Sequence, residues 1–308
     1  MHRNGKTILK DVLMKIKLGI SPINWCNDDD TSLGGDISFK QCIEEMALAG
    51  YKGTEIGHKY PQNANDLNAA LASNGLEIYS AWFSTYFTEP DKYQKTLSDF
   101  LDRISFLRSL GARYINVCEC GHSIQQTSHP VLGSHKPVFN EAEWHALIQG
   151  LHQIGRIAYD FNMHIVYHYH AGTGVFTEAE IDYLMQHTSP LLISLLLDTG
   201  HAAFADIDPV NLIKKYGNRI RYVHLKDIRQ PILLATKQNA WNFMDAVRAG
   251  VFTVPGDGFI DFKAVFNTLK AHDYAGLYLV EAEQDPAKAI PLHYAKKAYA
   301  HINQLINE

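Results

Sequence analysis

The chain has 308 residues, 46% hydrophobic and 20% charged, with a formal net charge of −5, the make-up of an ordinary globular protein able to bury a large core. The acidic balance and the absence of a long Lys/Arg run argue against nucleic acid as a partner. No stretch approaches the ~20 apolar residues that span a bilayer, so no membrane is expected either.

The opening segment 1–16 is basic and mixed, without the apolar centre and small-residue cleavage site of a signal peptide, and reads as an N-terminal arm or extension. The remainder, 17–308, reads as a single domain. Four cysteines (Cys26, Cys42, Cys118, Cys120) are too few for a disulfide scaffold at this length, which suits a reducing, cytoplasmic setting. Cys118-Glu119-Cys120 has no second pair and reads as packed thiols rather than a zinc knuckle.

From residue 17 onward, short β-rich runs alternate with helix-period segments. The run 17–22 (KLGISP) precedes a helix opened by Ser38, with Phe39, Cys42, Ile43, Met46 and Ala47 on one face and Gly50 at its end. The run 53–57 (GTEIG) precedes a short helix near 65–73, and 77–83 (EIYSAWF) precedes an amphipathic helix over 93–110. After 114–120 (YINVCEC) comes a long connection, 120–140, and then a helix capped by Asn140. The run 164–170 (HIVYHYH) leads to a helix capped by Thr177, and 194–200 (SLLLDTG) leads to 209–216. The run 222–227 (YVHLKD) is followed by a second long connection, 228–261, and a helix over 262–272. The last strand, 276–283 (GLYLVEAE), and a helix over 286–306 complete the series. Eight alternating units imply parallel pairing through right-handed crossovers, closed as an α/β (β/α)8 TIM barrel rather than left as an open sheet. Both long connections leave the C-terminal ends of strands, where loops of this length serve as lids.

Side chains alternate across a barrel strand with period two, which tests which polar groups can converge. On the fifth strand His168 and His170 share the face of Val166. On the sixth, Asp198 shares the face of Leu196. On the seventh, Tyr222, His224 and Lys226 lie together, and on the eighth Leu279, Glu281 and Glu283. Neighbouring strands lie about 5 Å apart, so inward groups at matching height can surround one ion. The N/O donors suit Mn, Co, Fe or Zn. Further polar residues reach the same rim: Trp25 after the first strand, Glu55 and His58 after the second, Glu119 and His122 after the fourth, His201 beyond Asp198, and Arg229 beyond Lys226. Together they make a polar mouth suited to many hydroxyls.

The series DTGH (198–201), HLKDIR (224–229) and VEAEQDP (280–286) resembles the xylose-isomerase-like barrels of sugar isomerases, epimerases and dehydratases. With GISPINWCNDDD, YHYHAGTGV and GVFTVPGDGFIDF added, the chain from about residue 17 to its end resembles the inosose dehydratase family of myo-inositol breakdown. The resemblance implies a lyase dehydrating 2-keto-myo-inositol (scyllo-inosose), a polyhydroxylated cyclic ketone, to a trihydroxycyclohexane-1,2-dione. It also implies manganese or cobalt, with glutathione as an accessory. The metal ligands it implies are Asp198, His224 and Glu281, with His168 (or His170) standing where the broader family has a glutamate.

Dehydration beside a ketone needs a base for the α-proton and an acid for the departing hydroxyl. Glu281, His170 and Glu55 are candidates for the base, and His201 and Glu119 for the acid. Lys226 and Arg229 are placed to neutralise an enolate or alkoxide, and Trp25, His58, His122 and Glu283 to contact substrate. Rival expectations are an isomerase or epimerase on the same metal barrel, a non-catalytic polyol-binding barrel and a metal-dependent endonuclease. The last is disfavoured by the acidic charge. A homo-oligomer is compatible with all of them.

Overall fold

The computed structural model describes residues 17–307, so the arm expected at 1–16 lies outside the described residues. Its strands are β1 (Leu18–Ile20), β2 (Gly53–Glu55), β3 (Glu77–Ser80), β4 (Trp82–Thr85), β5 (Tyr114–Glu119), β6 (His164–His168), β7 (Ile193–Asp198), β8 (Ile220–Leu225), β9 (Asp227–Ile228), β10 (Phe252–Thr253) and β11 (Leu277–Val280). Nine of them form one sheet in the order β3-β2-β1-β11-β8-β7-β6-β5-β4, and every pair is parallel.

The two end strands, β3 and β4, are halves of the third predicted strand, interrupted at Ala81. Ser80 accepts a hydrogen bond from Ile56 N on one side (3.3 Å), and Ala81 accepts one from Asn116 N on the other (2.9 Å). The broken stave thus changes partners at its midpoint and closes an eight-stave barrel. Its interior is filled by Tyr79 together with Val166, Leu196, Tyr222, Leu277 and Leu279, the last five on the faces that strand parity assigned inward. The Tyr79 ring lies over β1 and β2, where a Cβ on Gly53 would come within 2.2 Å of it; only glycine leaves room there.

The helices are α1 (Phe39–Ala49), α2 (Ala64–Ser73), α3 (Tyr93–Ser109), α4 (Glu141–Asp160), α5 (Glu178–His187), α6 (Thr199–Phe204), α7 (Pro209–Tyr216), α8 (Gln230–Asn239), α9 (Phe243–Ala249), α10 (Phe262–Ala271) and α11 (Pro291–Asn307). The expected caps form: Ser38 caps α1, while Asn140 with Glu143 and Thr177 with Glu180 build capping boxes on α4 and α5.

Three expectations need correction. The last helix begins at Pro291, because residues 286–290 form a turn in which Asp285 O accepts from Lys288 N and Ala289 N. The residue before a proline is pushed out of helical geometry, so Pro291 suits the first helical position and not an interior one. The strands of the fifth, sixth and eighth staves stop at His168, Asp198 and Val280, short of the predicted ends. Asp198 already caps α6 by accepting from His201 N (2.7 Å), which ends the stave there. Third, 228–261 is not an irregular lid. It folds as α8, α9 and the antiparallel ribbon β9–β10, with its own apolar cluster of Phe243, Met244, Val247, Val251 and Phe252 packed on Ala171, Phe176 and Phe204. Arg229 pins the ribbon through Asp257 (2.8 Å) and the Gly250 carbonyl (2.7 Å).

Candidate active site

Four staves in succession carry inward polar side chains at their C-terminal ends, directly above the apolar layer. His168 Nε2 stands 3.4 Å from Asp198 Oδ2, which stands 3.6 Å from His224 Nδ1, which stands 2.8 Å from Glu281 Oε2. All four residues are buried. Ligands about 2.1 Å from an ion in tetrahedral array lie about 3.4 Å from one another, so this spacing fits a divalent metal. The donor chemistry fits as well. His168 Nδ1 is 2.7 Å from the Tyr169 carbonyl, which holds the ring N–H on that side and turns the Nε2 lone pair inward. Asp198 Oδ2 and His224 Nδ1 are buried among charged partners with no hydrogen bond of good alignment.

The electrostatics match. Burial lowers the pKa of His168 more than Asp198 raises it, so its imidazole is held neutral, as a ligand requires. Burial raises that of Asp198, but Lys226 and His201 bring it well below the usual carboxylate range. For His224, burial works downward and is outweighed by Glu281 and Glu55, which push it well above the usual imidazole value, so an ion binding at Nδ1 has to displace a proton there.

His170, His201 and Glu283 form a second group beside the first. Glu283 Oε1 is 3.7 Å from His170 Nε2 and 3.5 Å from His201 Nε2. Lys226 joins the two groups. Its ammonium, fully buried, lies 2.8 Å from Glu281, 2.8 Å from Glu283 and 3.2 Å from Asp198. Burial alone would lower its pKa, and the three carboxylates raise it instead. A cavity of about 150 Å³ opens onto both groups, lined by Asp28, Asp29, Glu55, Trp82, Ser84, Gln125, His170, His224, Glu281 and Glu283.

The model of the xylose isomerase-like TIM barrel family matches residues 43–305. Inosose dehydratase 1 of Bacillus cereus (strain ZK / E33L) is 51% identical over 289 residues, 94% of this chain and 97% of that protein. Inosose dehydratase of Clostridium tetani is 49% identical over 290 residues, with the same coverage of each, 94% and 97%. The chain belongs to the inosose dehydratase family. Among solved structures, the IOLI protein with a binding zinc atom superposes at a TM-score of 0.67 over 94% of this chain and 96% of its own, at 15% identity, a likeness of fold.

In this inosose dehydratase family member the expected site residues divide. His168, Asp198, His224 and Glu281 converge, and so do His170, His201, Glu283 and Lys226. Glu55 lies behind His224: its Oε1 is 3.1 Å from His224 Nε2 and accepts from Ser80 Oγ (2.6 Å) and Asn116 Nδ2 (2.5 Å). Burial raises its pKa, but His224 and these donors outweigh burial and lower it to about 2, which makes it a poor base and a good anchor.

A carboxylate behind a ligating imidazole fixes tautomer and ring orientation, and its loss costs about 10–100-fold in metal affinity or activity. Glu55→Gln is therefore expected to weaken metal binding within that range, read by competition with a chelator. Affinity equal to the unaltered chain's would rule the anchoring role out.

The other candidates are engaged elsewhere. Glu119 takes five hydrogen bonds, from Thr85, Phe87 N, Thr88 N, Thr88 Oγ1 and Gly121 N, and holds the turn after β4. Trp25 is buried under the first loop, donating to Glu45 (2.6 Å). His122 adopts a left-handed φ of 59° and faces Glu143 at the surface. Arg229 is spent on the ribbon.

Asp28, Asp29, Trp82, Ser84 and Gln125 were missed. The run NDDD carries three of the rim's ties: Asp28 to His58 (2.5 Å), Asp29 to Gln126 (2.7 Å) and Asp30 to Arg248 (2.6 Å). An acidic triplet just past a barrel strand was the available signal. For Trp82, which packs edge-on to His168 and His170, strand parity misleads: Tyr79 faces the same interior three residues earlier, and the break at Ala81 is what turns both inward.

Proposed function

We infer that the protein is an inosose dehydratase, a hydro-lyase that removes water from 2-keto-myo-inositol to give a trihydroxycyclohexane-1,2-dione in myo-inositol catabolism. The observation that carries this reading is a metal-fitting cluster at the floor of a polar cavity, in a chain about half identical to inosose dehydratases across nearly its whole length. His168, Asp198, His224 and Glu281 would hold a divalent ion, which would supply Lewis-acid stabilisation of the charge that develops on the substrate's carbonyl oxygen. Manganese or cobalt suits the mixed N/O donor set.

The chain's own groups manage one proton in and one out. The α-proton passes to a cavity base, and the β-hydroxyl leaves with a proton from a cavity acid, so the elements of water depart. With Glu55 held as an anchor and Glu119 in its turn, the proton carriers facing substrate are His170 and Asp29. Burial raises the pKa of Glu283, but Lys226, His170 and His201 bring it well below the usual carboxylate range and make it as poor a base as Glu55. Asp29 is suited to carrying the proton because burial raises its pKa. Trp82 offers a flat wall against a cyclic substrate, and Ser84 and Gln125 offer hydrogen bonds to its hydroxyls. His168 in place of a strand-five glutamate deprives the site of the paired carboxylates with which a barrel epimerase shuttles protons, and favours elimination over epimerisation.

The four cysteines are unpaired and no helix among the described residues is long and apolar enough to cross a membrane, which supports a cytoplasmic setting. Proton NMR of the product from 2-keto-myo-inositol, with Mn²⁺ and Co²⁺ supplied separately and with and without glutathione, tests the reading. Loss of water is expected; a rearranged isomer of unchanged mass would replace dehydration by isomerisation.

A further inference from the structure

We infer that His170, His201 and Glu283 form a second divalent-metal site, distinct from the four-ligand cluster and taking zinc or cobalt(II) with one position open to the cavity. Two imidazoles and one carboxylate are a complete three-ligand set for a metal that keeps its fourth position for water or substrate. The carboxylate stands at ligand spacing from both imidazoles, and all three donor atoms lie within 4.8 Å of one another. Glu283 Oε1 lies 3.5 Å from His201 Nε2 and 3.7 Å from His170 Nε2, close to the roughly 3.4 Å between ligands about 2.1 Å from a tetrahedral ion.

An independent observation comes from His201. Its ring is wholly buried, and neither of its nitrogens makes a hydrogen bond. A polar group in that state is costly unless something is missing from its surroundings. The hydrogen bond from its backbone N–H to Asp198 fixes the turn that carries it, so the ring is aimed at Glu283 by the fold.

The flanking groups hold the donors as outer-shell partners of a metal site do. In the tautomer whose Nδ1–H donates to the Ala171 carbonyl (3.0 Å), His170 keeps the Nε2 lone pair for an ion. Glu283 Oε2 faces the Lys226 ammonium at 2.8 Å, which leaves Oε1. Charge points the same way. Glu55, Asp198, Glu281 and Glu283 are buried against one ammonium, Lys226, and a single divalent ion in the first cluster leaves a negative charge over. Phe243 and Phe252, 5.3 Å from His170 and 5.1 Å from His201 between ring centroids, wall the second set away from bulk water. Occupancy of this site withdraws His170 from proton transfer and leaves Asp29 as the carrier facing substrate.

The assignment does not rest on the identity of the substrate, and its test reads metal content. Equilibrium dialysis of the metal-stripped full-length chain against rising Co²⁺, with bound metal measured by atomic emission, is expected to saturate at two ions per chain. His201→Ala and Glu283→Gln, checked for folding by circular dichroism, are expected to saturate one ion lower. Saturation of the unaltered chain at one ion, or at the same value as a folded variant, would overturn the second site whatever reaction the enzyme performs.

Discussion

Replacing Asp198 by alanine is expected to remove bound metal and dehydration together, with activity falling on the order of 10³-fold or more. The estimate follows from a Lewis acid supplying several kcal/mol to a developing oxyanion, at about 1.4 kcal/mol per factor of ten. Asp198 is the right residue to change because its Oδ2 faces both histidine ligands, at 3.4 and 3.6 Å. His224→Ala should behave alike, since it removes the ligand that Glu55 orients. Metal content and product formation are to be measured on the same preparations. Full turnover by the metal-stripped, unaltered enzyme would sink the metal-assisted reading.

The second large effect concerns stability. Lys226→Met keeps the aliphatic stem, which packs against Gly200, and deletes only the ammonium. The buried carboxylates of Asp198, Glu281 and Glu283 then face one another without a counter-charge. Breaking a buried pair by removing one partner costs about 3–5 kcal/mol, and none of these groups is exposed enough for water to screen the loss. Denaturant unfolding of the metal-free protein should register a loss of that size. Saturating Mn²⁺ or Co²⁺ should recover part of it, because the ion supplies positive charge to two of the same carboxylates. Equal stability of variant and unaltered chain without metal would show that Lys226 does not balance them.

The sequence disclosed the barrel and the convergence of its inward groups for one physical reason. A stave buried on both sides still alternates strictly, so Val166 and His168, Leu196 and Asp198, and Tyr222 and His224 declare their shared face without any structure. Where alternation stops, the reading loses its grip. Glu55 sits at the pairing irregularity between β2 and β3, and its height in the barrel says nothing of the three donors that claim Oε1. Glu119 is likewise at a strand end, and only the fold of residues 85–88 shows that a turn consumes its carboxylate. Helix α9 had its signals, Asn242 as cap and Gly250 as terminator. They were masked because its apolar side packs on other loops and not on the barrel, so no repeating unit framed it. Asp28 and Asp29 lie on irregular backbone, where no periodicity assigns a direction.

The three consecutive aspartates of the first loop give the doorway to the cavity an inheritance of its own. Asp28, Asp29 and Asp30 each clasp a different segment, through His58, Gln126 and Arg248, so four stretches of chain distant in sequence meet at one rim. Transplanting the 24–37 segment from another barrel would strand all three partners at once. The rim of this cavity is therefore held as one set of four segments, and a change of shape in the first loop has to be matched by the segments at His58, Gln126 and Arg248.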